Sequence, residues 1–176
     1  MGGQNRVRII GIDPGLAALG WGVVELDGAR FVYKGHGCIS TKAGSDTGER
    51  LAHIRDSLKA VLDEFLPSET AMEALFFSRN VTSALGVAEV RGIIRLLCRD
   101  NGLLLHEYTP NDVKKAATGS ARSGKEEVQN FIRIVLGLDF VPKPDHAADA
   151  LAVAICHCQN RSFKSKSVEP KGFGGL

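Results

Sequence analysis

Carboxylate and imidazole side chains follow apolar segments at three separate places in this sequence. Asp13 ends an apolar run that begins at Val7, and Glu73 interrupts the segment Ala-Met-Glu-Ala-Leu-Phe-Phe. His146 and Asp149 lie three residues apart in an alanine-rich segment. A buried carboxylate is costly unless a cation or hydrogen bonds compensate it. Acidic groups from separate elements could bind paired divalent ions, which about 3.5–4 Å apart can hydrolyse a phosphodiester bond.

The third group leaves two helical pairings open. His146 and Asp149 are three residues apart and share a helix face, whereas Asp145 and Asp149 are four apart and could share that face instead. Each residue also has a purely structural interpretation. Asp13 before Pro-Gly could shape a turn, and Glu73 could pair with a buried arginine. Asp145 could be a first-turn charge favoured by the helix dipole, and His146 could be a core histidine.

Basic residues surround a glycine-containing loop later in the chain. Lys114 and Lys115 precede the loop, and Arg122 and Lys125 follow it. Lysines near a helix start, beside exposed backbone N–H groups, suit phosphate binding. The alternative is a solvated loop. Because the net charge is only +2, any nucleic-acid binding must use such a local basic surface.

Hydrophobic periodicity predicts the strands that must position these groups. The first three are joined by tight turns, one of them the strong hairpin signal Asp27-Gly28, which indicates an antiparallel meander. The later strands alternate with helical segments, as in β-α-β-α crossovers. The predicted strands are 7–12, 19–26, 30–40, 70–75 and 103–108.

The helices are predicted from apolar spacing and from capping residues. Asp46 and Glu49 have capping-box spacing before the first helix, and Ser123 and Glu126 have it before the fourth. The other helix starts are Asn80 as a cap, Thr109-Pro110 as N-cap and first helical position, and Pro144. The helix after Thr109-Pro110 is expected to be short, and the other helices are expected to end near residues 65, 102, 137 and 158.

This element order predicts an α/β fold with a five-stranded mixed sheet and helices on both faces. We expect one folded domain over residues 6–160. Residues 161–176, which carry glycines and lysines, are predicted to form a disordered basic tail.

Composition excludes several classes of protein. No apolar run approaches the roughly 20 residues of a membrane span, and the N-terminus lacks a signal-peptide pattern. We therefore expect a soluble, cytoplasmic protein without membrane partners. Cys156-His157-Cys158 is the one cysteine cluster, and no second ligand pair accompanies it. Buried free thiols are therefore favoured over a zinc site.

Three motifs in order resemble those of the RuvC family of bacterial Holliday-junction resolvases. Gly-Ile-Asp-Pro-Gly alone is only moderately specific, whereas the motifs together at this spacing are highly specific. The resemblance extends from about Arg8 to Asn160. It is carried by Gly11–Gly15, Gly20–Val24, Gly37–Ile39, Glu73 with Phe76, Asn80 and Ser83–Leu85, and His146–Ala154.

The resemblance implies an RNase H-like fold and a homodimer that nicks two opposed strands of four-way junction DNA. It also implies association with the RuvAB branch-migration complex, and Mg²⁺ or Mn²⁺ as cofactor, with two ions per site. The four metal-binding positions fall on Asp13, Glu73, His146 and Asp149. The histidine departs from members that have aspartate there, and Asp145 one residue earlier is the alternative ligand.

The resemblance assigns DNA contacts as well. An aromatic residue at the position of Phe76 stacks on bases near the crossover, and core packing is the alternative for that side chain. Lys114 and Lys125 match lysines near the cleavage site, and Lys115 and Arg122 are further candidates.

Other functions compete with a junction nuclease. An actin-like kinase also has a phosphate loop after a strand, but it needs a duplicated domain that 176 residues do not supply. A catalytically silent junction-binding module would have no need of all four candidate ligands. An RNase H shares the fold and differs in acting on RNA–DNA hybrids.

Overall fold

A computed structural model describes residues 6–74 and 81–167, without the side chains of 81–83 and 162–167. The strands are β1 (Val7–Asp13), β2 (Ala18–Asp27), β3 (Arg30–Ser40), β4 (Glu69–Glu73) and β5 (Leu104–Tyr108). The helices are α1 (Thr47–Phe65), α2 (Val81–Asp100), α3 (Pro110–Thr118), α4 (Lys125–Val135) and α5 (Asp145–Ser167).

The five strands form a mixed sheet in the order β3-β2-β1-β4-β5. The β1–β2 and β2–β3 pairs are antiparallel, as in the predicted meander. β4 lies parallel to β1, and β5 lies parallel to β4, because a helical crossover precedes each of them. The predicted mixed five-stranded sheet is therefore confirmed.

Helices cover both faces of the sheet, so the strands are apolar on both sides. Ile10 of β1 packs with Ile54 of α1 and with residues of α2. Its neighbour Ile9 points to the opposite face and packs with Ile132 of α4 and Leu151 of α5. Successive side chains of a strand point to opposite faces, which explains the continuous apolar run that identified β1 in the sequence.

Helix α5 lies unusually close to β1 and β2 because glycine and alanine face each other there. A Cβ atom added at Gly20 would lie 1.9 Å from the carbonyl oxygen of His146, and one at Gly11 would lie 2.0 Å from that of Ala150. Glycine is therefore required at both strand positions. The small alanine side chains of α5 therefore allow the backbone of the sheet to approach the helix.

Two predicted helix boundaries are wrong. The fourth helix begins one residue later than expected, with Gly124 as N-cap and its backbone N–H donating to Glu127 Oε2. Ser123 instead hydrogen-bonds with Thr118 Oγ1 at 2.6 Å, so the predicted box with Glu126 does not form. Helix α5 continues to Ser167, into the segment predicted to be disordered. Residues 168–176 and Asn80 lie outside the described residues.

The predicted caps at Asp46 and Thr109 form, and the four cysteines are free. Asp46 accepts a hydrogen bond from the backbone of Glu49, and Thr109 forms a capping box with Asp112. None of the four cysteines is in a disulfide, and burial raises the pKa of Cys156 and Cys158 to about 12. None of the described helices is long and apolar enough to cross a membrane.

Candidate active site

Asp13 and Glu73 end two adjacent parallel strands. β1 and β4 are in register with Ile12 beside Met72, so the next residue of each strand lies at the same edge of the sheet. The negative charge of Asp13 acts on the Glu73 carboxyl group and raises its pKa. The two acidic motifs, which are far apart in the sequence, therefore meet in the fold.

The first turn of α5 brings the third motif to this edge. His146 Nδ1 lies 2.6 Å from Asp13 Oδ2, and the negative charge of Asp13 acts on Asp149 one turn later. Asp145 faces α4 instead, where its Oδ2 lies 3.2 Å from Lys125 Nζ. Of the two helical pairings that the sequence left open, the pair His146 and Asp149 is the one beside Asp13.

Burial and mutual repulsion change the acidity of these groups. Burial, followed by repulsion from Asp13 and the hydrogen bond with it, raises the pKa of Glu73 to about 7. Burial also raises the pKa of Asp149, although the Lys125 ammonium acts in the opposite direction. Carboxyl groups with raised pKa values that share one site are typical of functional centres.

The donor set fits a divalent cation. The repulsion that raises the pKa of Glu73 is what a bound cation would offset. Three carboxylates supply the oxygen ligands that Mg²⁺ and Mn²⁺ prefer. The imidazole of His146 could add a nitrogen ligand, which suits transition metals better than Mg²⁺.

A cavity of about 280 Å³ opens beside the acidic group. Glu73 and Asp149 line it together with Lys114 and Lys125. Lys125 Nζ lies 3.4 Å from Asp149 Oδ2, and its side chain is half exposed. Both lysines that were predicted to contact DNA near the cleavage site therefore face the same cavity as the carboxylates.

The remaining predicted DNA-binding residues lie apart from this cavity or outside the described chain. Lys115 lines a different cavity, together with Asp112 and Asn160. Arg122 is exposed in the loop between α3 and α4. Phe76 lies outside the described residues, so its stacking role stays a prediction.

The buried arginine considered as a partner of Glu73 exists, but it binds differently. Arg91 is buried in α2 and donates to the backbone oxygen of Glu73. Its ion pair is with Glu107, at 2.7 Å. Arg91 therefore holds the end of β4 through its backbone, and the Glu73 carboxylate faces Asp13 instead of pairing with Arg91. The sequence analysis missed it, although a charge between the apolar residues Val90 and Ile94 was a usable signal.

Comparison with known proteins identifies a family. The sequence profile described as "Crossover junction endodeoxyribonuclease RuvC" matches residues 9–157. A protein of that name from Pseudothermotoga lettingae is 47% identical over 155 residues, which are 88% of this chain and 96% of that protein. One from Caldanaerobacter subterraneus subsp. tengcongensis is 41% identical over 96% of this chain and 99% of its own length.

Solved structures agree with the sequence comparison. The RuvC of Thermus thermophilus in complex with a Holliday junction substrate superposes with a TM-score of 0.86 at 33% identity, covering 90% of this chain and 97% of that one. The yeast mitochondrial Holliday junction resolvase superposes with a TM-score of 0.65 at 15% identity over 92% and 85% of the two chains, which shows a shared fold alone. The chain therefore has the RNase H-like fold that the motifs implied.

Proposed function

This chain belongs to the RuvC family, and we propose that it resolves Holliday junctions during recombination and DNA repair. It would do so by paired, metal-dependent nicks in opposed strands. The observation that carries this proposal is the meeting of Asp13, Glu73, His146 and Asp149 at one edge of the sheet, beside a lysine-lined cavity.

RuvC nucleases depend on divalent metal ions, and we propose Mg²⁺ or Mn²⁺ here, with two ions per site. Asp13, Glu73 and Asp149 would supply oxygen ligands and His146 a nitrogen ligand. Ions bound there would activate a water molecule for attack and stabilise the leaving oxygen. His146 is favoured over Asp145 as the third ligand because its ring contacts Asp13, whereas Asp145 pairs with Lys125.

The lysines are proposed to bind the scissile phosphate region. Lys125 Nζ lies between two carboxylates, at 3.2 Å from Asp145 and 3.4 Å from Asp149. A phosphate in the cavity would compete for this ammonium group, and Lys114 would approach from α3. Phosphate contacts of this kind position the DNA without reading its sequence. Phe76, Lys115 and Arg122 remain proposed DNA contacts on the resemblance alone.

The assembly and cellular setting are proposals as well. Two opposed strands require two active sites, so we propose a homodimer that works on DNA delivered by the RuvAB complex. We also propose that it acts in the cytoplasm. The competing hypothesis of a silent junction-binding module predicts binding without nicking, and an RNase H would prefer hybrids.

One assay separates these hypotheses. Cleavage of a four-way junction, a linear duplex and an RNA–DNA hybrid is compared with and without divalent ions. We expect nicking of the junction alone, and only with the ion. Equal cleavage of the hybrid would favour an RNase H, and binding without nicking in either ion would favour the silent module.

The matched variant is Asp13→Asn. We expect it to abolish cleavage while junction binding, measured by gel shift, stays close to that of the wild type. The reason is that the substitution removes a ligand charge and also relieves repulsion at Glu73, so the fold is kept. A variant that nicks at the wild-type rate would contradict the role of Asp13.

A further inference from the structure

We propose that Glu69, His106 and His157 form a second metal site, for a zinc-like transition-metal ion, at the end of the sheet opposite the acidic group. One ligand atom from each side chain lies within 4.8 Å of the others. Glu69 Oε2 is 2.7 Å from His157 Nε2. The ring centroids of His106 and His157 are 4.4 Å apart, and the two ring planes are inclined by 31°.

The topology places these three residues on one face. Glu69 begins β4, and His106 lies on the neighbouring strand β5, close to the register position of Glu69. His157 approaches from α5, which packs on that face of the sheet. Three elements that are distant in the sequence thus contribute one ligand each, as in metal sites that require the folded chain.

Neighbouring groups hold the ligands in the orientation that metal binding needs. Tyr108 Oη lies 2.7 Å from His157 Nδ1, so Nδ1–H can donate to the hydroxyl and leave the lone pair of Nε2 for an ion. Arg161 Nε donates to Glu69 Oε1 at 2.8 Å, which leaves Oε2 facing His157. Hydrogen bonds from outer groups that fix the ring and the carboxylate are a regular feature of metal sites.

The group has the composition and access of a zinc site with one open position. Two imidazoles and one carboxylate, completed by water, form such zinc centres. A cavity of about 200 Å³ adjoins the three ligands and gives an ion a path from solvent. Two nitrogen ligands favour Zn²⁺ or Co²⁺ over Mg²⁺. The flanking Cys156 and Cys158 are not members of this group.

The site is separate from the acidic group. Glu69 and Glu73 are at opposite ends of β4, four residues or about 13 Å apart. His157 follows Asp149 by eight residues of α5, a rise of about 12 Å. The same strand and the same helix therefore connect the two sites, and an ion at Glu69 would tie the later part of α5 to the sheet.

The test is a titration of the full-length protein, freed of metal by a chelator and returned to millimolar Mg²⁺. Zn²⁺ binding is measured by calorimetry, and Co²⁺ binding by its visible absorption. We expect one ion to bind in the presence of Mg²⁺ and to raise the melting temperature. In His106→Ala the affinity should fall at least tenfold, and in Asp13→Asn it should be retained.

His106→Ala is preferred to a change at His157 because His106 is only partly buried, and circular dichroism checks its folding. Glu69→Gln should reproduce the loss. Mg²⁺-dependent junction cleavage by His106→Ala should equal that of the wild type. Unchanged Zn²⁺ affinity in His106→Ala, or loss of the ion in Asp13→Asn alone, would overturn the proposal, because the ion would then belong to the acidic group.

Discussion

His146 is the residue that distinguishes this acidic site from one made of carboxylates alone. Its Nδ1 contacts Asp13 Oδ2 at 2.6 Å, although the side chain is half exposed. A neutral imidazole is a softer ligand than a carboxylate and favours Mn²⁺ over Mg²⁺. The identity of one side chain therefore bears on which ion supports cleavage.

We expect cleavage by the wild type to be faster in Mn²⁺ than in Mg²⁺ at equal concentration. His146→Asp should lower the Mn²⁺-to-Mg²⁺ rate ratio, by roughly tenfold if the relative barrier changes by about 1.4 kcal/mol. Initial rates against metal concentration measure the ratio for both proteins, with Asp145→Asn as the control. Equal ratios in the wild type and His146→Asp would make Asp145 the better ligand candidate.

Glu73 links the charge of the site to the stability of the metal-free fold. Its carboxyl group has a folded-state pKa of about 7 against an ordinary value of 4.5, so ionisation opposes folding. Below pH 4.5 both states are protonated, and the group has no effect on stability. The loss of folding stability grows as the pH rises from 4.5 to about 7 and is complete above pH 7.

Glu73→Gln should therefore raise the melting temperature of the metal-free protein at pH 8 and have little effect near pH 4.5. The melting temperature of a domain of this size rises by roughly 2–4 °C for each kcal/mol added to the free energy of unfolding. Thermal unfolding at both pH values, in chelator, measures the difference. An equal shift at the two pH values would mean that packing, and not charge, causes it.

At the scale of elements, the contact between α5 and the β1–β2 hairpin positions the site. His146, in the first turn of α5, lies against Gly20, which is paired with Asp13 across the two strands. The strand glycine lets the helix approach closely enough for the imidazole to reach the carboxylate. The distance between His146 and Asp13 is thus set by residues that have no chemistry of their own.

Gly20→Ala should move α5 away and reduce cleavage strongly. The added Cβ would lie 1.9 Å from a backbone oxygen, so we also expect a loss of about 1–3 kcal/mol or more of stability from overpacking. The control is Gly92→Ala in α2, where nothing lies within 4 Å. That variant should gain about 0.5–1 kcal/mol and keep its activity. Denaturant unfolding and junction cleavage distinguish the two, and wild-type behaviour of Gly20→Ala would contradict this account.

At the scale of the whole molecule, the net charge of +2 is too small to hold DNA by itself. Binding must depend on where the cations lie, and Lys114 and Lys125 lie on one cavity beside the acidic group. This arrangement places two lysines next to carboxylates that would repel any phosphate approaching those lysines. Bound divalent ions would remove that conflict, which couples DNA binding to the metal.

Lys125→Ala should weaken junction binding and flatten its salt dependence. Loss of one phosphate contact lowers the magnitude of the slope of log affinity against log salt by about 0.9 for duplex DNA. The control is Lys59→Ala on α1, a partly exposed lysine paired with Asp63, which should leave the slope unchanged. Junction binding by each protein is measured in Ca²⁺ over a range of salt concentrations. An unchanged slope for Lys125→Ala would mean that this lysine is solvated and contacts no phosphate.

Local signals in the sequence were enough to predict the strands and helices and their order. Apolar periodicity, turn residues and caps such as Asp46 and Thr109 depend on neighbours within a few residues, so they can be found without the fold. Their order then allowed few topologies. Motif spacing also indicated the family, and with it Asp13, Glu73, His146 and Asp149. The misplaced cap at Ser123 was a local error, since Gly124 has no side chain to signal its role.

Which of these residues lie close together depends on long-range packing. The choice between His146 and Asp145 depended on how α5 turns over Gly20, and that contact joins residues more than a hundred positions apart. Arg91 and the Glu69 group were missed for the same reason, because the partners of these side chains lie on helices and strands that are distant in the sequence. Local preferences fix the elements, but long-range packing alone fixes the distances on which chemistry depends.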